Sequence, residues 1–283
     1  MVPSGSSTAV PDTILQPLNG CDHSDMETVD RPPPPLWRTM PRRLLMQSGL
    51  GRRLWWRTRG RSSELDFWHA WLVGAPGAEE WAGDRVRRFS PDAEVRDPVL
   101  RTEIEKIQQS DISILDVGAG PATNVGFRFP GKRLTIVPVD ALADDYARLL
   151  ESVGLEPPVR TRHVRGEALL EHFGPRRFDV AYATNSLDHS ADPFAIIANM
   201  VGVVRRGGTI ILRHGRNEGE ERRYEGLHQW NFDVVDENLV LWNSAIEVNV
   251  GHALEGRAAV EAWIDRRVEQ DQVLARLVIA PDG

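Results

Sequence analysis

Five short apolar runs, at 112–117, 133–139, 159–164, 178–184 and 209–214, are separated by segments of helical length and pattern. This alternation constrains the chain more than any other feature. Parallel strands need long crossovers, and a helix is the usual way to fill one. The spacing predicts helices over 142–153, 167–173 and 193–205. In the first, Leu142, Tyr146, Leu149, Leu150 and Val153 share a face. In the last, Phe194, Ile197, Val201 and Val204 do, and Gly207-Gly208 stops it. The expectation is an α/β fold with a doubly wound, mostly parallel sheet.

Three helices are expected ahead of the sheet: one capped by Ser62 or Ser63, one over 78–89 and one over 98–108. Beyond His214 a polar loop leads to strands at 239–242 and 245–250, a helix at 257–267 and a closing strand at 273–279. Residues 1–61 read as a disordered or loosely packed extension, and 62–283 as one domain whose leading helices, 62–109, cover it. The extension begins rich in Ser, Pro and Gly, then turns rich in Arg and Trp over 36–61. That second part suits weak contact with a membrane surface, or else simple local packing.

Charge narrows the function classes. Residues 31–62 hold nine arginines and no acid, so the rest of the chain carries −16 of a net −7. An acidic body argues against a nucleic-acid partner, since phosphate neutralisation needs a basic face. A lone cysteine, Cys21, permits no internal disulfide and fits a reducing cytoplasm. No apolar stretch has the length of a membrane span. No Cys/His/Asp/Glu spacing resembles a zinc site, so no metal is expected.

The chemistry concentrates at strand ends. Ile114-Leu115-Asp116-Val117-Gly118-Ala119-Gly120-Pro121 is a buried strand ending in an acid and a glycine turn. Glycine lets backbone approach a nucleotide-like ligand closely. A nicotinamide dinucleotide site wants a third glycine where Thr123 stands, and Asp116 would face its pyrophosphate. The acid suits a cationic ligand better. Asp140 ends the second run and can hold two ribose hydroxyls, or cap the next helix. Glu167, after the third run, can reach an adenine amino group or cap a helix.

The order of these features resembles the class I S-adenosylmethionine-dependent methyltransferases, particularly their small-molecule, type 11-like branch, over about residues 110–215. The resemblance implies a seven-stranded Rossmann-like sheet with an antiparallel last strand, and S-adenosylmethionine as cofactor. It implies that Asp116, Gly118, Ala119 and Gly120 hold the cofactor's amino acid part. Asp140 with the adjacent Ala141 would hold ribose, Glu167 adenine, and Asn185 through His189 would face the transferred methyl. Asp188, His189 and His228 are then the candidate catalytic residues, the histidines because they titrate near neutrality. The expected partner is a small-molecule acceptor methylated on oxygen or nitrogen. Arg213 or Arg216 could serve a carboxylate acceptor. The segment Tyr224-Glu225-Gly226-Leu227-His228-Gln229-Trp230-Asn231-Phe232 reads either as a functional loop or as an aromatic plug.

Two departures stand out. Only a dozen residues separate Gly120 from the second run, so the first crossover helix must be short or distorted. Ala122 and Thr123 replace the further glycine of many members. Two rival readings are an inactive methyltransferase-fold binding protein and a nicotinamide-dependent oxidoreductase.

Overall fold

The computed structural model describes residues 60–266 and 270–281. The extension over 1–61, and the membrane-surface reading of 36–61, lie outside the described residues except for Gly60 and Arg61.

The central sheet has eight strands. Its parallel core comprises β1 (Asp111–Val117), β3 (Lys132–Asp140), β4 (Arg162–His163), β5 (Phe178–Thr184) and β6 (Val204–Gly215). A two-residue strand, β2 (Arg128–Phe129), lies antiparallel on β3. At the other edge, β11 (Gln272–Ile279) runs antiparallel between β6 and β10 (Ala258–Asp265). The mostly parallel, doubly wound sheet with an antiparallel last strand is as expected, with β2 added to the seven.

Both faces of the sheet are covered, which is why its strands are continuous apolar runs. Successive side chains alternate faces. Ile112 and Ile114 join Leu100 and Ile104 on one side; Leu115 and Val117 join Leu169, Ile197 and Met200 on the other. The first layer is built by α3 (Pro98–Lys106), the second by α5 (Leu169–Phe173) and α6 (Pro193–Val203). Asp97 and Asp192 accept hydrogen bonds from the first free N–H groups of α3 and α6, and each is followed by proline, whose fixed φ suits a first helical turn.

The crossover from β1 to β3 contains no helix. Residues 119–127 run irregularly to β2, and Val125 and Phe129 pack with α3, which completes that layer instead. Ahead of α3 stand α1 (Arg61–Val73), a short turn at Glu79–Trp81 and α2 (Ala82–Arg88). Helix α1 begins one residue before the predicted serine caps, and no side chain caps it. Its Arg61 makes a bidentate pair with Asp145 of α4 (Ala143–Val153).

Two expectations beyond His214 are corrected. The predicted helix over 257–267 is strand β10. Its Ala and Glu content favours helix, but eight residues pair with β11, and Ala258, Val260 and Ala262 pack inward with period two. The strands predicted near 239–250 do not extend the main sheet. They are β8 (Asn238–Trp242) and β9 (Glu247–Asn249) of a separate antiparallel sheet begun by β7 (Asn231–Val235). Phe232, Leu239 and Leu241 fasten that sheet to the core. Among the described residues, no helix is long and apolar enough to cross a membrane.

Candidate active site

A cavity of about 960 Å³ lies over the carboxyl ends of the parallel strands. Ligands bind there in open α/β sheets. At this volume it holds a drug-sized ligand with room to spare. Asp116, Gly118, Ala119, Gly120, Asp140, Ala141, Glu167, Asn185, His189 and His228 all line it. Asp188 does not: it is 2% exposed and lies behind the two histidines.

The glycine turn is shaped for close approach. Gly118 and Gly120 have φ of +73° and +66°, where a side chain is strained. A Cβ on Gly118 would stand 2.4 Å from the Ser186 side chain, and one on Gly120 would stand 2.6 Å from the Trp68 ring. Asp140 binds the same turn: its carboxylate accepts from Gly120 N at 3.1 Å and from Leu142 N at 2.8 Å. Burial pushes its pKa up to about 6 in spite of those bonds.

Asp116 explains one departure from the expected motif. Thr123, standing where a glycine was expected, donates its hydroxyl to Asp116 at 2.6 Å and accepts from Val125 N at 3.2 Å. A glycine could do neither, so threonine fixes the helix-free crossover to the strand end. Burial pushes the Asp116 pKa up to about 6. Asn185 takes a left-handed φ of +44° as β5 ends and accepts from Gly215 N of β6. Glu167 lies on a short turn at Gly166–Ala168, 3.6 Å from Arg165.

The opposite side of the cavity is built from distant segments. Leu187–His189 forms one helical turn after β5, and Gln229 N donates to the Asp188 carbonyl, drawing the 228 loop onto it. His228 Nδ1 lies 2.8 Å from Asp188 Oδ2 and 3.1 Å from His189 Nε2. His189 Nε2 is 3.3 Å from the same Asp188 oxygen. Its other nitrogen, Nδ1, is 3.4 Å from Glu64 Oε2 on α1, and Trp68 Nε1 donates to that carboxylate at 2.8 Å. Burial works against charge on Asp188, but the imidazoles of His189 and His228 hold its pKa down at about 2. Burial also opposes protonation of His189, and Asp188 and Glu64 outweigh it, so the pKa is raised.

The 228 loop divides between its two predicted roles. His228 faces the cavity. Gln229, Trp230 and Asn231 are buried: Gln229 Nε2 donates to the carbonyls of Tyr224 and Gly226, and Asn231 Oδ1 accepts from Glu220 N. Those three are the plug. Arg213 and Arg216 do not reach the cavity; they pair with Asp97 and Asp233. Sequence reasoning missed Glu64, Trp68, Arg88 and Glu218, all of which line the cavity. Glu64 and Trp68 sit four apart on one helix face beside the cavity. That spacing is the one signal the sequence held.

Residues 115–212 match the family model described as a methyltransferase domain. The chain carries a class I S-adenosylmethionine-dependent methyltransferase domain. Among curated proteins none matches the chain. Among solved structures, the chain is similar to the CurJ carbon methyltransferase (16% identity, 64% of this chain, TM-score 0.43), of whose length it spans about half, 52%. It is similar to the N-methyltransferase NodS of Bradyrhizobium japonicum (16% identity, 65% of this chain and 93% of that one, TM-score 0.40). It is also similar to the Burkholderia thailandensis 1,6-didemethyltoxoflavin-N1-methyltransferase, solved with 1,6-didemethyltoxoflavin and S-adenosylhomocysteine (15% identity, 77% and 87%, TM-score 0.43). The assignment rests on the strand order and the family match, not on these likenesses.

Proposed function

We propose that this methyltransferase moves a methyl group from S-adenosylmethionine to an oxygen or nitrogen of a small-molecule acceptor held beside His189 and His228. One observation carries the reading: a single cavity joins the glycine turn and Asp140 to the paired imidazoles. The lining fits the cofactor. The Gly118–Gly120 turn lines the cavity without side chains at either glycine, and Asp116 and Asp140 suit a cationic ligand with ribose hydroxyls. Glu167 and Ala141, which line the same cavity, would hold the adenosine end.

When bound, S-adenosylmethionine supplies a methyl on a sulfonium, which an in-line nucleophile displaces. The chain's part is to align that nucleophile, exclude water and handle the acceptor's proton. Asp140 in its ionised form would accept from the ribose hydroxyls. Helix α1 contributes Phe67, Trp68 and Trp71 to the cavity wall. The cluster of Asp188, His189 and His228 activates the acceptor. With side chains alone, Asp188 holds His228 through Nδ1 and leaves Nε2 as the nitrogen that can take a proton.

Calorimetry with S-adenosylhomocysteine tests the reading. Saturable binding at one site, with none for nicotinamide dinucleotides, is expected. Binding of a nicotinamide cofactor in its place would overturn it.

A further inference from the structure

Three donor atoms converge at the acceptor side of the cavity: Asp188 Oδ2, His189 Nε2 and His228 Nδ1. The sides of their triangle are 2.8, 3.1 and 3.3 Å. Hydrogen bonds alone cannot satisfy all three. A neutral imidazole offers one N–H and one lone pair. If both ring nitrogens carry protons toward Asp188, the two N–H groups collide with each other across 3.1 Å. If only His228 carries one, the His189 lone pair faces a carboxylate oxygen at 3.3 Å. With Asp188 ionised, each of these arrangements leaves one edge repulsive, whereas a cation at the centre meets three lone pairs at once. Donors bound at about 2.0–2.2 Å and subtending roughly 90–110° stand roughly 2.8–3.5 Å apart, which is the triangle observed.

Two further observations point the same way. The second nitrogen of His189 faces the Glu64 carboxylate, which Trp68 holds in place. A carboxylate behind a histidine is the usual outer support of a metal-bound imidazole. Asp188 Oδ1 is buried without a hydrogen-bond partner, 3.9 Å from a His214 nitrogen that also has none. So Asp188 is committed to the triangle through its other oxygen.

We propose that Asp188, His189 and His228 bind a divalent transition-metal ion, Zn²⁺ on donor chemistry, with an open position toward the acceptor. Two imidazoles and one carboxylate form a borderline donor set, and three protein ligands are the mark of a catalytic rather than a structural zinc site. Glu218, whose Oε1 is 3.8 Å from His228 Nδ1, stands beside it. The inference rests on the methyl-transfer reading and refines it: a cation takes over acceptor activation from the imidazoles. An acceptor hydroxyl oxygen binds the ion and loses its proton to water. The O–CH₃ bond then forms as the S–CH₃ bond breaks, leaving S-adenosylhomocysteine. No local spacing announced this site, because two ligands are adjacent in sequence and the third is 39 residues on.

Metal analysis of the full chain, followed by chelation and Zn²⁺ titration by calorimetry, tests the proposal without knowledge of the acceptor. About one ion per chain is expected. His228→Ala should abolish binding, and Glu64→Gln should weaken it about 10–100-fold while the chain still folds. S-adenosylhomocysteine titrations run on the same samples separate the two readings. A chain that binds S-adenosylhomocysteine but not Zn²⁺, Mn²⁺ or Fe²⁺ overturns the metal site alone. Zn²⁺ affinity unchanged in both variants overturns it too. A chain that binds Zn²⁺ but not S-adenosylhomocysteine keeps the metal site and removes the methyl-transfer reading.

Discussion

The two sides of the cavity are built differently. On the β1–β3 side, Asp116, Asp140 and the glycine turn come from two short segments, and their polar atoms bond to neighbouring backbone or to Thr123. On the β5–β6 side, Glu64, Asp188, His189, Glu218 and His228 come from four separate segments. Buried polar atoms of Asp188 and His214 there lack hydrogen-bond partners. A buried unsatisfied polar group is costly, and a native fold that keeps one usually has a use for it. The first side is a preformed cradle; the second holds its polar groups for something it must act on.

That contrast can be broken by mutation. The largest effect is expected at the histidines. His189→Ala should lower methyl transfer about 10²–10⁴-fold while cofactor affinity stays within a few-fold. Labelled methyl transfer into metabolite extracts, with calorimetry alongside, reads both. Equal losses in turnover and affinity would place His189 in the cradle instead.

Asp140→Ala should do the reverse. Losing hydrogen bonds to a carboxylate, roughly 1.5–3 kcal/mol each, weakens S-adenosylhomocysteine binding about tenfold or more. The pH dependence sharpens this. The ionised carboxylate is the stronger acceptor for two ribose hydroxyls, so affinity should fall as pH drops through about 6. The empty protein moves oppositely. A pKa raised from 3.8 to about 6 means that the folded state holds the proton more tightly, so this group adds stability as pH falls across that window and loses it as pH rises. Asp140→Asn should flatten the affinity profile.

Thr123→Val leaves the buried Asp116 carboxylate without its hydroxyl partner. A loss of about 1–3 kcal/mol in stability is expected by chemical denaturation, with the histidine cluster unaffected. Arg61→Ala breaks a pair whose arginine is 46% exposed, and should cost less than about 1 kcal/mol.

The same contrast governs what the sequence disclosed. The cradle was legible because its signal is local: a strand, an acid and two glycines need no distant partner to be recognised. The alternating apolar runs gave the parallel sheet for the same reason. Strand β10 was misread because Ala and Glu favour helix, while pairing with β11 decided the outcome. The histidine pair was named as a candidate, but its geometry was not, because the contacts that bring His228 to His189, the Gln229–Asp188 backbone bond among them, join segments far apart in sequence. Glu64 went unnoticed because it lies in a helix ahead of the domain's recognisable core.

The most direct test is a crystal structure of the chain with S-adenosylhomocysteine. Ribose on Asp140, the amino acid part on the Gly118–Gly120 turn, and the sulfur facing His189 and His228 are expected. A base, or an ion held by these residues, must come within hydrogen-bond reach of the acceptor, so at least one imidazole should lie within about 10 Å of the sulfur. Both rings farther away, or a ligand seated elsewhere, would contradict that arrangement.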